Sequence, residues 1–151
     1  MLFRSLIFGI GNQMSDVLMS GVLVRYPQLK FVSVESGVRW IPFMIELLDH
    51  QFEAIQFWKH RPEFKMKPSE YFRRQIYSTW WFEKDLTPDV FEKAGADHVM
   101  FETDFPHITC LYEDEVKDAI EGGLGRHDEA LRQAILFDNA AKLYKVEQPT
   151  T

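Results

Sequence analysis

"HVMFETDFPH", residues 98–107, sets four apolar side chains (Val99, Met100, Phe101 and Phe105) around two carboxylates, Glu102 and Asp104. Pro106 stops the run and His107 stands just beyond it. Carboxylates are costly in so apolar a segment unless they are paired or used. The β-prone run predicts a strand over 98–104 whose C-terminal end carries polar groups.

Working outward, apolar residues at Met14, Val17, Leu18, Val22 and Val24 recur at helical spacing, and Pro27 ends that helix. "KFVSVESG", residues 30–37, is β-branched and closes at Gly37, which predicts a strand over 30–35. "VRWIPFMIELLDHQFEAIQFWKH", residues 38–60, returns to helical spacing, with Pro42 in the first turn where its missing N–H does no harm. Residues 61–74 are polar and proline-marked and predict a loop with one short helical turn. "QIYSTWWFE" predicts a second strand over 75–82. "TPDVFEKAG", residues 87–95, is a complete short helix, with Thr87 as N-cap, Pro88 at N1 and Gly95 as its stop. After the third strand, residues 113–123 and 127–146 read as helices. Strands alternating with helices imply right-handed parallel crossovers and α/β architecture. The expectation is one domain over 1–151, with an apolar segment at 1–12 and a frayed tail at 147–151.

Composition narrows the function. The 151 residues are 46% apolar and 26% charged, ordinary globular values. A net charge of −6 with no basic run argues against nucleic-acid binding. The apolar N-terminus is too short to span a bilayer, and no small-residue cleavage pattern follows it closely. The single Cys110 excludes an internal disulfide and a cysteine-based zinc site, which makes a reducing cytoplasm the expected location. "GIGNQM" lacks the third glycine and the preceding strand of a dinucleotide site.

In parallel α/β sheets the reacting groups gather at the C-terminal strand ends. That places Glu35 after the first strand and Asp104 after the third as candidate catalytic carboxylates. Side-chain alternation sets Met100, Glu102 and Asp104 on one face, and Phe31, Ser33 and Glu35 on one face of the first strand. The plainer alternative for each acid is a helix cap or an Arg partner. Glu102, deeper, reads as the partner of a buried Arg or Lys. None of His50, His60, His98, His107 and His127 forms a His-x-His or His-x-x-x-His pair. His107 alone has an address above the sheet, open between substrate contact and a loop hydrogen bond. Trp80 and Trp81 point to opposite faces, one under helices and the other toward a cavity. Cys110 reads as a small apolar residue, not a nucleophile.

"FETDFPH" resembles the amidohydrolase-related family that includes aminocarboxymuconate-semialdehyde decarboxylase. Thr103, Asp104, Phe105, Pro106 and His107 match its Ser/Thr-Asp-Tyr/Phe-Pro-His motif in order. Residues 20–49 are similar to the helix–strand–helix around strand six of those barrels, and "ILFDNAAKLYKV", residues 135–146, resembles the closing helix. The resemblance implies part of a metal-dependent (β/α)8 TIM barrel: its C-terminal half, with about three parallel strands and flanking helices. It implies hydrolysis or decarboxylation of a small molecule. It gives Asp104 the role of metal ligand or proton shuttle, and a divalent metal, zinc first among candidates, as the family's cofactor. Several members have His in a His-Gly-Gly stretch where this chain reads Glu35-Ser36-Gly37.

The histidines that family members carry on strands one and five have no counterpart here. The sequence therefore reads as a C-terminal fragment or truncated homologue, with Asp104 and Glu35 catalytic, His107 a substrate contact, and no metal held tightly by this chain alone. Whether it is an enzyme by itself stays open at this point. The alternative is a non-catalytic oligomeric α/β module of the same descent. A bare inner sheet face and two open strand edges predict a homodimer or higher homo-oligomer.

Overall fold

The computed structural model describes residues 3–146, with side chains from Gly9 onward. The tail at 147–151 and the first two residues of the apolar segment lie outside the described residues. The chain divides into two compact units, residues 3–31 with 40–76 and residues 32–39 with 77–146.

The first unit is helical. Helix α1 spans Phe3–Met19, so the segment expected to be merely apolar is the start of a long helix. The helix predicted to run to Pro27 breaks earlier. Gly21 adopts φ +82°, a left-handed conformation cheap only for glycine, and α2 restarts over Val22–Arg25. Helix α3 spans Ile41–Ala54 with Pro42 in its first turn, and buries Ile41, Met44, Ile45 and Phe52. A second left-handed residue, Gln56 at φ +52°, separates it from α4, Phe57–His60. The loop expected before the second strand contains α5, Pro68–Gln75, a longer helix than one turn. Pro68 takes N1, the Glu70 carboxylate accepts the Lys67 N–H at 2.7 Å, and Asp49 of α3 accepts the Ser69 N–H at 2.9 Å. These bonds satisfy helix-start donors that would otherwise be orphaned. Fully buried Gln75 donates Nε2–H to the carbonyls of Tyr26 (2.8 Å) and Leu29 (3.0 Å), fixing the turn that leads into the sheet.

Strands β1 (Phe31–Ser33), β2 (Ile76–Trp80) and β3 (Val99–Phe101) form one sheet in the order β1-β2-β3. The strands are parallel, and β2 pairs with β3 in the register Ser78–Val99, Thr79–Met100, Trp80–Phe101. Every residue of β2 is buried, as suits a central parallel strand. Strands β1 and β3 are shorter than the sequence predicts, and both stop before their carboxylates.

In the second unit β2 leads to α6, Pro88–Ala94, with Thr87 at the N-cap position and Gly95 at its end. The Thr87 hydroxyl bonds the Asp89 carboxylate, not a backbone N–H. A 3-10 turn, Ala96–His98, enters β3. Helix α7 is Asp114–Leu124; α8, Glu129–Gln133, runs through a π-turn at Ala134–Asp138 into α9, Asn139–Tyr144. Asn139 donates Nδ2–H to the carbonyls of Ala96 (2.8 Å) and Val99 (2.7 Å), pinning the last helix to β3. Trp80, 0% exposed, donates its indole N–H to the Glu83 carbonyl at 2.9 Å. Its ring lies so close to Gly123 of α7 that a Cβ there would sit 2.0 Å from Cζ2. Of the residues expected on a bare face, Ser33, Met100 and Trp80 are in fact buried and Phe31 is exposed. The π-turn and α9 pack against β3 and help to cover it. No helix among the described residues is long and apolar enough to cross a membrane.

Candidate functional site

The carboxylates stand past the strand ends, in turns. Glu35 is two residues beyond β1 at φ +55°, and Asp104 is three beyond β3 at φ +60°. The alternation argument that set Glu102 and Asp104 on one strand face therefore fails, because β3 stops at Phe101 and its pleat does not continue. The same holds for Glu35 on β1.

Glu102 is the residue the sequence misread. No Lys or Arg bonds to it among the described residues. Its Oε1 accepts the Thr79 hydroxyl at 2.6 Å and the Glu35 N–H at 2.7 Å. Its own N–H donates to the Trp80 carbonyl at 3.1 Å, extending the β2–β3 ladder by one bond. Burial pushes its carboxyl above the usual carboxylate range. The bonds from Thr79 and Glu35 N–H oppose that rise, and the charges of Glu35 and Asp104 add to it. Three carboxylates thus share one strand-end region without a compensating Lys or Arg among the described residues. Glu35 is exposed, and Glu102 and Asp104 are partly buried.

The Asp104 side chain is 11% exposed, and its Oδ2 lies 3.0 Å from Nδ1 of His107. The His107 N–H closes a turn onto the Asp104 carbonyl at 2.8 Å, and the Leu111 N–H donates to the Thr103 carbonyl at 2.8 Å to close the wider loop. The Phe105–Pro106 peptide is cis. His107 also lies 3.0 Å from the Thr109 hydroxyl. The loop hydrogen bond foreseen for His107 is therefore present, while its exposed ring leaves a face open. Phe105 and Tyr112 stack at 6.0 Å between centroids and are exposed.

The remaining candidates lie elsewhere. His50 and His60 are exposed, His98 is buried in a stack with Tyr77 (4.1 Å), and His127 bonds the Leu86 carbonyl at 2.8 Å. Cys110 is partly exposed. Trp80 is the tryptophan under the helices; Trp81 is partly exposed against Phe82, with ring centroids 5.0 Å apart.

Asp104 offers one anionic oxygen donor to a metal ion. Glu102 already spends Oε1 on two hydrogen bonds. Among the described residues no three His, Cys, Asp or Glu side chains form a group that could hold a metal. The described residues fit one ligand position and not a complete set.

Residues 10–146 match the amidohydrolase family model. The chain belongs to the amidohydrolase family. Over 131 residues it is 29% identical to the γ-resorcylate decarboxylase of Polaromonas sp. strain JS666, covering 85% of this chain and 38% of that protein. An amidohydrolase from Mycobacterium avium subsp. paratuberculosis K-10 superposes with a TM-score of 0.74 at 26% identity, covering 91% of this chain and 33% of the other. A dihydroxybenzoic acid decarboxylase from Polaromonas sp. JS666, solved with manganese and 2-nitroresorcinol, gives 0.69 at 27% identity over 91% and 40%. This amidohydrolase chain therefore spans well under half the length of these relatives. Manganese in that structure supports a divalent metal for the family and does not single out zinc.

Proposed function

We propose that this chain carries the Asp104 side of an amidohydrolase active site that decarboxylates a small aromatic acid, with hydrolysis of a small molecule as the alternative. The observation that carries the reading is the mostly buried Asp104 carboxylate, held in a left-handed turn beside Glu102 and Glu35 with no Lys or Arg partner among the described residues. Such an arrangement works against folding, and groups kept at that cost are characteristic of functional sites. That favours a catalytic chain over a non-catalytic module. The decarboxylase names of two relatives support the reaction class.

In this reading Asp104 holds one coordination position of a divalent ion, and the ion supplies Lewis acidity toward an anionic substrate. His107 orients Asp104 through the 3.0 Å contact and presents its open face to the substrate. Decarboxylation of an aromatic acid needs a proton delivered to the ring carbon as carbon dioxide leaves. Glu35, exposed beside the site, is the group to deliver it. The exposed Phe105–Tyr112 pair offers apolar surface for a ring.

The test is a manganese titration of the 15N-labelled chain, with γ-resorcylate turnover measured in parallel. Paramagnetic broadening centred on Asp104 and His107, lost in Asp104→Asn, supports the reading. Broadening that ignores Asp104→Asn, or turnover equal in that variant, overturns it.

A further inference from the structure

We propose that Glu102 is a positioning residue: its Oε1 fixes the Glu35 turn across β2 and so sets where the Glu35 carboxylate stands relative to Asp104. The proposal rests on the reading of Asp104 and Glu35 as the reacting pair.

The geometry is a lacing of three strand ends onto one oxygen. The Thr79 hydroxyl has a single hydrogen and two acceptors within reach, Glu102 Oε1 at 2.6 Å and the Ser33 carbonyl at 3.2 Å. The shorter bond, to the more anionic oxygen, takes the hydrogen. Thr79 Oγ1 then accepts the Glu35 N–H at 3.0 Å, while Glu102 Oε1 accepts the same N–H at 2.7 Å. One backbone donor after β1 is thus gripped from β2 and from beyond β3. The grip coincides with φ +55° at a residue that is not glycine, a conformation that persists only where the surroundings hold it.

The far end of the same loop has its own clamp. The Glu83 carboxylate accepts the N–H groups of Val38 and Arg39, each at 2.8 Å, and Gly37 at φ +66° leaves no room for a Cβ beside it. Strands β2 and β3 are joined by backbone bonds up to the Glu102 N–H itself. The Glu102 side chain is therefore spare for holding the sheet. What it reaches is the strand two places away, at the residue that carries the candidate proton donor.

The experiment is amide exchange and manganese-induced relaxation on the whole labelled chain, comparing the parent with Glu102→Ala, Glu102→Gln and Thr79→Val. In Glu102→Ala the Glu35 amide exchanges about tenfold faster, the equivalent of one lost hydrogen bond. Its manganese-induced relaxation shifts relative to that of Asp104, while amides in β2 and β3 keep their protection. Glu102→Gln, which keeps an acceptor oxygen, restores both readouts. Thr79→Val moves Glu35 in the same direction and serves if Glu102→Ala fails to fold. Unchanged Glu35 exchange in Glu102→Ala, or in Thr79→Val where the alanine variant does not fold, overturns the proposal; so does a loss of protection spread evenly over the sheet. If the parent shows no manganese effect at Asp104, the metal reading falls, and exchange at Glu35 still decides the role of Glu102.

Discussion

Asp104 Oδ2 and His107 Nδ1 lie 3.0 Å apart, while the main chain of the same two residues closes a turn from the His107 N–H to the Asp104 carbonyl at 2.8 Å. The backbone bond makes the turn independent of the side-chain charge. Asparagine also tolerates the φ +60° found at position 104. Asp104→Asn should therefore change unfolding free energy by no more than about 0.5 kcal/mol in urea, while abolishing the manganese effect. A loss of several kcal/mol would mark Asp104 as a structural partner.

Glu102 should make stability depend on pH with a defined sign. Its folded-state pKa is raised, by burial first and by Glu35 and Asp104 after it. Between the ordinary value of 4.5 and that raised value, the folded chain keeps a proton that the unfolded chain has lost. Stability falls as pH rises through that window and stays lowered above it. Glu102→Gln does not ionise. With chelator present it should be more stable than the parent at pH 7, and the gain should shrink below pH 4.5. Urea midpoints at pH 7 and pH 4 measure this, and a parent more stable at neutral pH would contradict it.

Two adjacent glycines of α7 should respond with opposite signs. Alanine in a helix normally gains up to about 1 kcal/mol over glycine. At Gly123 the added Cβ would lie 2.0 Å from Trp80 Cζ2 and 2.9 Å from the Glu83 carbonyl oxygen. Overpacking of that kind costs about 1–3 kcal/mol or more and outweighs the helical gain. At Gly122 the nearest atom is Cγ of the flexible Lys84, 3.1 Å away. Thermal melts should show Gly123→Ala clearly destabilised and Gly122→Ala unchanged or improved.

Asn139→Ala should cost about 1–3 kcal/mol, because it strips the Ala96 and Val99 carbonyls of their donor at a buried position. Chemical denaturation measures it. A neutral outcome would mean that water replaces the amide without loss.

Periodicity and punctuation made the alternation of strands and helices readable. The helix from Pro88 to Gly95 could be delimited residue by residue, because proline, threonine and glycine each have one cheap position there. Helix α5 was missed although Pro68 and Glu70 form an N-terminal signature; the charged run around them obscured it. The two site carboxylates were legible as strand-end acids, but their backbone was not. A left-handed glutamate or aspartate carries no strong local signal, so the strand pattern was extended past the last paired residue. That extension misassigned Glu102, whose partners come from β2 and from the turn after β1. Contacts of such sequence separation leave no trace in a local pattern.

The π-turn at Ala134–Asp138 holds one residue more than an α-helix of the same rise. Deleting any single residue there would let the segment rewind as plain α-helix and swing everything after it by about 100°. Asn139 would then face away from the carbonyls it now serves. Length in this stretch is consequently under tighter constraint than chemistry: a side chain can be exchanged at several of its positions, whereas a one-residue indel unships the closing helix from the sheet.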